Sequence, residues 1–504
     1  MNTTPYWIES VQSPEFPALA RSVDVDVIVV GGGIMGVTAA YLAKREGKRV
    51  ALIERARVGS VDTGHTTAHL TPVTDSRLYE LKNEFNADVA KAVWDAGEAA
   101  IDQIVSLIRR EKIDCEFEWV PGYLHAPLRD VDPKKIEELE KEAKTASDLG
   151  IRQTFLPEIP YLKVPGIKFP HQALFHPLKY LSVLASKIPG DGSYVFENTS
   201  VDEVESEPLG IKAGRHRIRG NYLILATHNP LQGLTGTVSA MLFQTKLALY
   251  SSYAIGAKVP PGTLPQASFW DTADPYDYVR VNKYPDYDYV IYGGEDHKTG
   301  QLENTEEPYR NLEKRLLMIA PQAKIDHRWS GQVIETNDGL PYIGETAENQ
   351  FAGTGFSGNG MTFGTLAAVM AVDALMKRKN PWADLFDIHR KKLLGGTWAY
   401  LTENKDYPYF LLRNLFAKVE GESVTDVKPG EGKILKLDGQ RVAASRDTKG
   451  KLSLCSAVCT HMSCIVEWNG AEKTWDCPCH GSRFQPNGDV ISGPAEEPLK
   501  PVEK

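Results

Sequence analysis

The spacing of hydrophobic residues near the start of the chain predicts a strand, a helix and a second strand. Val27–Val30, with Val25 before it, is an apolar, β-branched run of the length that buried strands have. Val37–Glu46 follows as a helical segment that Gly47 ends, and Arg49–Ile53 is a second apolar strand. This order is that of a βαβ unit, in which the two strands lie parallel.

Farther along the chain, the same pattern predicts mixed helices and strands and then a region of strands alone. Helical periodicity covers the segments 78–111, 133–149, 177–188 and 365–377. Strand patterns cover 115–128, 199–204, 222–228, 247–255 and 287–294, and the last two favour a second, more antiparallel sheet. From about residue 420, short apolar runs alternate with Gly and Asp turns, which is typical of a small all-β module.

Three glycines between the first strand and the first helix point to a nucleotide. Gly31, Gly33 and Gly36 have the spacing G-x-G-x-x-G, and Glu54 ends the second strand 18 residues later. The glycines permit a tight turn, a close approach to a pyrophosphate and close packing of helix on strand. The helix N-terminus attracts the phosphates, and Glu54 can accept a hydrogen bond from a ribose hydroxyl. These residues predict a dinucleotide site and leave NAD and FAD open.

A second glycine-rich loop offers a competing nucleotide site. Gly353, Gly355 and Gly358 repeat the same spacing before a helix, which is what an NAD(P)H site would need. No acidic residue ends a second strand about 20 positions later, and no βαβ repeat follows. The sequence therefore disfavours this second site.

Length and charge narrow the class of protein. A chain of 504 residues predicts two or three domains. The formal net charge of −9 gives no reason to expect nucleic acid or an anionic membrane surface as a partner. No apolar run approaches the length of a membrane-spanning helix, and the first residues lack the pattern of a signal peptide. We therefore expect a cytoplasmic protein.

Five of the six cysteines lie within 25 residues near the C-terminus, which suggests a metal site. Two of them form the motifs Cys459-x-His461 and Cys477-x-x-His480. Two thiolates and two imidazoles suit either zinc or a [2Fe–2S] cluster, so these four residues alone leave both open.

Roughly residues 24–390 resemble the D-amino-acid oxidase superfamily of FAD enzymes, which includes sarcosine and glycine oxidases. The resemblance is carried by the first fingerprint, the loop GSVDTGHTTA, the strand YLILATH and the late segments TNDGLPYIG and GTGFSGNGMTFG. It implies that the late glycine loop brings a helix N-terminus to the flavin ring and stabilises negative charge there. The FAD-contacting residues it implies are Gly31, Gly33, Ile34, Met35, Gly36 and Glu54 at the ADP portion, Thr66 and Thr67 near the pyrophosphate or ring, Val201 near the adenine, and Gly355, Gly358, Gly360 and Met361 at the ring.

The two C-terminal boxes, CTHMSC and CPCHGS, resemble the ligand loops of Rieske [2Fe–2S] domains. The resemblance implies Cys459 and Cys477 on one iron, His461 and His480 on the other, and a disulfide between Cys464 and Cys479. Imidazole ligands raise the reduction potential of such clusters into the range of about −150 to +300 mV. Ser482 is placed to donate to a cluster sulfur. Phe484 stands where high-potential members carry a tyrosine, so we expect a potential below theirs.

These resemblances imply an α/β Rossmann-like FAD-binding domain with an inserted antiparallel-sheet substrate domain, followed by a small all-β Rieske domain. The expected limits are 1–415 for the oxidoreductase and 416–504 for the Rieske domain. Within the first, the FAD-binding parts are about 24–75, 170–235 and 325–390, and the substrate part is about 76–169 and 236–324.

The expected function is an FAD-dependent dehydrogenase that oxidises the C–N bond of a small amine or amino acid. Its electrons would pass singly through the Rieske cluster to an external acceptor. Arg280 is a candidate to hold a substrate carboxylate. The alternatives are an electron-transfer reductase that takes hydride from NAD(P)H and a redox sensor without substrate turnover.

Overall fold

A computed structural model describes residues 2–128, 132–229, 246–390, 419–461, 463–495 and 497–502. The expected domain boundary at 415/416 lies outside the described residues, as does the part of the substrate segment at 236–245.

The described residues form 26 strands and nine α-helices. In chain order the strands are β1 (Val23–Asp24), β2 (Val27–Val30), β3 (Val50–Ile53), β4 (His69–Leu70), β5 (Glu118–His125), β6 (Thr154–Leu156), β7 (Gly166–Leu174), β8 (Tyr194–Phe196), β9 (Glu203–Ser206), β10 (Leu209–Ala213), β11 (His216–Arg219), β12 (Tyr222–Leu225), β13 (Leu247–Val259), β14 (Ser268–Asp271), β15 (Tyr278–Lys283), β16 (Asp288–Lys298), β17 (Lys324–Thr336), β18 (Tyr342–Ala347), β19 (Gln350–Thr354), β20 (Gly432–Leu437), β21 (Gln440–Arg446), β22 (Leu452–Ser456), β23 (Glu467–Asn469), β24 (Thr474–Asp476), β25 (Arg483–Phe484) and β26 (Val490–Ser492). The helices are α1 (Tyr6–Glu9), α2 (Ile34–Arg45), α3 (Leu78–Glu84), α4 (Ala87–Glu111), α5 (Pro133–Asp148), α6 (Pro177–Ser186), α7 (Glu307–Ile319), α8 (Gly360–Leu375) and α9 (Ala383–Phe386).

The predicted βαβ unit lies at the centre of a six-stranded sheet with the order β18-β19-β12-β2-β3-β8. All neighbours in it are parallel except β18 and β19. Strands β2, β3 and β12 are buried along their whole length, as expected for a sheet covered on both faces. Helix α2 begins at Ile34 rather than Val37, because Gly33 already serves as its N-cap.

The second sheet confirms the inserted antiparallel domain. Its main path is β17-β13-β16-β15-β14-β5-β7-β4, with β6 added beside β7. Only β14 and β5 run parallel. The segment 115–128 gives one strand, β5, and not two. The helical segment 78–111 divides into α3 and α4, since the side chain of Asn86 caps α4 by accepting from the Val89 amide.

The C-terminal region is all-β, as predicted. It contains two antiparallel sheets, β20-β21-β22 and β23-β24-β25-β26, around a small core that includes Trp475 and Phe484. Within the described part of the chain, none of the helices combines the length and the apolar character that a membrane crossing needs.

Candidate functional site

The glycines of the first fingerprint allow three chain segments to meet at one point. Gly31 has a φ of +105°, and a Cβ on it would lie 2.5 Å from the Ala226 carbonyl oxygen at the end of β12. A Cβ on Gly36 would collide with the carbonyl oxygen of Gly31. Neither backbone can retreat, so both positions need glycine. The result is a tight turn that aims the start of α2 along the edge of the sheet.

This edge borders a cavity of about 1190 Å³. The cavity is lined by all but one of the residues that the sequence assigned to FAD: Gly31, Gly33, Ile34, Met35, Glu54, Thr66, Thr67, Val201, Gly355, Gly358, Gly360 and Met361. The exception is Gly36, which packs beneath Gly31 instead. The structure thus brings segments more than 300 residues apart into one site, and their individual contacts to FAD stay a prediction.

Glu54 lies in the wall of this cavity with both carboxyl oxygens engaged. Oε2 accepts from the Gly32 amide at 2.7 Å, and Oε1 accepts from the Ala56 amide at 2.8 Å. Burial raises the pKa of this carboxyl, while the two backbone hydrogen bonds oppose the shift. Each oxygen retains a lone pair, so the carboxylate can accept from a ribose hydroxyl without releasing the turn.

The late glycine loop belongs to the same cavity and not to a second nucleotide domain. It connects β19, which is paired between β12 and β18, to α8. Its Gly358 amide donates to Asp75 Oδ2 at 2.8 Å, and Tyr276 donates to Oδ1 of the same carboxylate at 3.0 Å. Asp75 therefore ties the loop to the antiparallel sheet. This placement removes the main support for a separate NAD(P)H site.

The antiparallel sheet contributes a carboxyl group that the sequence analysis missed. Asp296, on β16, lines the cavity beside Ser252 and three aromatic residues, Trp270, Tyr276 and Tyr278. Burial raises the pKa of Asp296 to about 7; a hydrogen bond from Ser252 lowers it, and the Asp75 charge raises it. One feature of the sequence indicates this residue: β16 begins with mostly apolar, buried residues and ends in Glu-Asp-His, so it carries an acid on a mainly buried strand.

Arg280 does not occupy the position predicted for it, and its role as a carboxylate anchor is corrected. Its side chain is fully buried away from the cavity lining. Nη1 donates to the carbonyl oxygens of Thr67 and Ala68, at 2.9 and 2.7 Å, and Nη2 donates to that of Phe175 at 3.2 Å. With Nε bonded to Asn282, the guanidinium holds the Thr67 loop against the sheet instead.

The four predicted metal ligands converge on one side of the C-terminal module. Cys459 and Cys477 are buried and hydrogen-bonded to each other, and the rings of His461 and His480 have centroids 4.8 Å apart. The loops are closed by hydrogen bonds from Cys459 N to Cys464 O (2.8 Å) and from Cys477 N to Ser482 O (2.7 Å).

The two loops are also joined covalently, because Cys464 and Cys479 form a disulfide. Burial, and to a smaller extent the nearby His480, lowers the pKa of His461 to about 3. Burial lowers the pKa of His480 to about 4. Both imidazoles are therefore neutral at pH 7, the form in which histidine binds a metal.

Family models match both regions. The model for "FAD dependent oxidoreductase" matches residues 26–374, and the model for "Rieske [2Fe-2S] domain" matches residues 418–503. The chain belongs to the FAD dependent oxidoreductase family. Its C-terminal module is a Rieske domain.

Relatives share this organisation in whole or in part. The chain is 32% identical to YhfW of Bacillus subtilis (strain 168), called a Rieske 2Fe-2S iron-sulfur protein, over 99% of this chain and 97% of that one. It is 23% identical to the gamma-glutamylputrescine oxidoreductase of Escherichia coli (strain K12), over 74% of this chain and 89% of that one. The crystal structure of glycine oxidase from Geobacillus kaustophilus superposes with a TM-score of 0.60 at 18% identity, covering 73% of this chain and all of that one, which shows a common fold.

The residues present fit the two cofactors that the oxidoreductase family and the Rieske domain imply. FAD needs a long cavity that has a glycine turn, a helix N-terminus and an acid at its edge. The cavity beside Gly31 and Glu54 has these three features. A Rieske cluster needs two thiolates and two neutral imidazoles, which Cys459, Cys477, His461 and His480 supply. The disulfide leaves Cys464 and Cys479 no thiolate to offer, which agrees with these four residues as the predicted ligand set.

The Rieske domain packs its ligand loop on the wall of the flavin cavity. Gln332, on β17, lines the cavity and donates from Nε2 to the Gly481 carbonyl at 2.8 Å. Gln301 donates to the Pro478 carbonyl at 3.0 Å, and a Cβ on Gly300 would lie 2.8 Å from the carbonyl carbon of Cys477. The loop that carries Cys477 and His480 is therefore in direct contact with the cavity wall at Gln332.

Rieske residues also form part of the cavity lining itself. These include Ala471, Glu472, Arg483, Gly493 and Pro494. Arg483 pairs with Glu472 and with Asp476, at 3.2 Å to the latter, and Tyr309 of α7 donates to Glu472 at 3.1 Å. The two domains therefore share one site.

Proposed function

We propose that the protein is an FAD-dependent dehydrogenase that oxidises the C–N bond of a small amine or amino acid. Its electrons then pass one at a time through the Rieske cluster to an external acceptor. The observation that carries this proposal is the contact between Gln332, in the cavity wall, and Gly481, next to the ligand His480. A direct oxidase would have no use for a one-electron carrier at that position.

The flavin, when bound, accepts a hydride from the carbon next to the substrate nitrogen. The oxidised substrate is then an imine, which water converts to a carbonyl compound and either ammonia, from a primary amine, or an amine, from a secondary one. The chain orients the substrate, keeps water away during the transfer and holds negative charge near the N-terminus of α8. The names of the relatives support a C–N substrate, since one acts on gamma-glutamylputrescine and the other is a glycine oxidase.

The cluster explains how a two-electron donor can serve a one-electron acceptor. A [2Fe–2S] cluster held by Cys459, His461, Cys477 and His480 would carry one electron at a time, so the two electrons of each substrate would leave in two steps. The acceptor is therefore proposed to be a one-electron carrier.

The cytoplasmic location expected from the sequence stays a prediction.

Anaerobic reduction of the holoenzyme tests the proposal. Amines and amino acids should bleach the flavin and generate the EPR signal of a reduced Rieske cluster, whereas NADH and NADPH should do neither. Reduction of both centres by NAD(P)H with no response to any amine or amino acid would contradict the proposal and support the reductase.

A ligand variant separates the two half-reactions. Cys459→Ser should remove the Rieske signal and the reduction of an artificial one-electron acceptor, while the flavin is still bleached. Cys455→Ser changes a buried thiol of the same core that is not a predicted ligand, so it should retain both activities. Unchanged acceptor reduction in Cys459→Ser would show that the cluster is not on the electron path.

A further inference from the structure

The antiparallel sheet gives the cavity a wall of acids and aromatic rings. Asp296, Trp270 and Tyr278 line it from strands of the sheet, Tyr276 lines it from the turn between β14 and β15, and Asp75 lines it from the loop that precedes α3. Aromatic faces attract cations, and carboxylates pair with them, so all five side chains favour a positively charged group.

Asp296 is the acid of this wall that keeps a buried carboxyl oxygen without a hydrogen-bond partner in the described part of the chain. Asp75 accepts from Tyr276 and from the Gly358 amide, which hold it in place. The neighbouring acids Asp277 and Glu295 both pair with Arg315. Asp296, in contrast, has a hydrogen bond from Ser252, while its Oδ1 atom is shielded from solvent and accepts nothing.

Two basic residues near this wall, Arg280 and His69, are not placed to take a carboxylate. The guanidinium of Arg280 donates its hydrogen bonds to the Asn282 side chain and to backbone carbonyl oxygens. His69, which lines the cavity, is neutral, because burial and the charge of Arg280 lower its pKa to about 3. A carboxylate attached beside the substrate nitrogen would therefore meet the charges of Asp75 and Asp296, and neither Arg280 nor His69 would offset them.

We infer that Asp296 binds the ammonium group of the substrate, and that the substrate is an amine cation with no carboxylate next to its nitrogen. This inference rests on the proposed function and narrows its substrate class. The carboxylate first pairs with the ammonium group and then takes one of its protons. The N–H bond breaks, an O–H bond forms on Asp296, and the electron pair stays on nitrogen, which prepares the adjacent carbon for loss of hydride.

Matched pairs of compounds test the substrate class. Benzylamine and phenylglycine, butylamine and norvaline, and 1,4-diaminobutane and ornithine each differ by one carboxylate. With the anaerobic holoenzyme, the amine of at least one pair should bleach the flavin about tenfold faster or more than its amino acid. If an amino acid of any pair reduces the flavin as fast as its amine, the inference is overturned and the dehydrogenase stands. If neither class reduces a flavin that dithionite reduces, the proposed function falls with it.

Substitutions test the residue. Asp296→Asn should weaken amine binding about 30-fold or more, measured as the perturbation of oxidised-flavin absorbance before bleaching. FAD content and the Rieske EPR signal report that the variant is folded. Asp296→Glu should recover part of the affinity. Asp286→Asn removes the same charge from an exposed hairpin residue and should change nothing. Equal amine affinity in Asp296→Asn and the parent protein would overturn the assignment.

Discussion

Gln332 and Gly481 are joined by a 2.8 Å hydrogen bond from the glutamine Nε2 to the glycine carbonyl. Gln332 belongs to the lining of the flavin cavity, and Gly481 directly follows a predicted iron ligand, so this bond joins the cavity wall to the predicted ligand loop. The same amide group also lies 3.3 Å from Thr299 Oγ1, which fixes its orientation. Gln332 is thus a positioning residue between the domains.

Replacing this glutamine should slow electron transfer between the centres and leave substrate oxidation intact. Gln332→Ala removes a buried hydrogen bond worth about 1 kcal/mol and loosens the contact of the ligand loop with the wall. Rapid-freeze EPR after anaerobic mixing should show a several-fold slower appearance of the reduced cluster at an unchanged rate of flavin bleaching. Gln440→Ala, on an exposed hairpin of the Rieske domain, is the matched control. An unchanged EPR time course would rule out this role.

Gly300 should tolerate no side chain, because backbone of the ligand loop fills the space. A Cβ there would lie 2.8 Å from both Cys477 C and Pro478 N, and the φ of +78° adds strain. Gly262 has a similar φ of +81° and open space around it, so Gly262→Ala measures the strain alone. Gly300→Ala should be less stable than this control by about 1–3 kcal/mol and should alter the Rieske EPR spectrum. Identical melting temperatures in the two variants would contradict the docking.

Glu54→Gln should weaken FAD binding. A glutamine side chain has one acceptor oxygen, so its amide nitrogen would face the N–H of either Gly32 or Ala56. An unsatisfied donor pair costs about 1–3 kcal/mol, which corresponds to a loss of about 5- to 150-fold in affinity. Fluorescence titration of the apoprotein with FAD measures it. The exposed Glu98→Gln is the control, and equal affinities would show that the carboxylate is dispensable.

The disulfide should contribute to retention of the cluster. Cys464 and Cys479 are 15 residues apart, and closing a loop of that length stabilises a fold by about 3 kcal/mol. The double variant Cys464→Ser, Cys479→Ser should therefore lose its cluster absorbance at a lower temperature than the parent protein does. Cys115→Ser, which alters a lone buried thiol of the other domain, should not. The disulfide has no such role if the three proteins lose the cluster together.

Asp296 should make the holoenzyme less stable as pH rises. Burial raises its pKa from 3.8 to about 7, with Asp75, Asp277 and Glu295 adding to the shift and Ser252 opposing it. The unfolded chain releases this proton first, so stability falls from about pH 4 and levels off above pH 7, by at most about 4 kcal/mol. Asp296→Asn should remove this fall, giving a melting temperature above that of the parent at pH 8 and near it at pH 4. If the melting temperatures of Asp296→Asn and the parent protein change with pH in the same way, the raised pKa of Asp296 is contradicted.

The sequence predicts the parts of this protein in which local spacing has a fixed physical meaning. The turn between Gly31 and Gly36 and the two Cys–His boxes are short segments whose residues act on their immediate neighbours. Their geometry is decided within a few residues, so the sequence places them well. The alternating runs of β13 and β16 predict a second sheet for the same reason.

Residues whose role depends on what packs against them could not be predicted in this way. Arg280 and Asp296 both lie on strands of the antiparallel sheet, and each is a charged residue in an apolar setting. One side chain turns to the carbonyl oxygens of the Thr67 loop, and the other faces the cavity. That difference is set by a loop more than 200 residues away, which no local pattern contains.

Glu472, Arg483 and Gly493 bring the Rieske domain into the lining of the flavin cavity. A chain cut before the Rieske domain would lose this portion of the wall and open the cavity to water on that side. The oxidoreductase portion alone would therefore have an incomplete cavity wall. A substitution in one domain at the shared wall must be compatible with the residues of the other domain that it contacts. We therefore expect the two domains to evolve together at this wall.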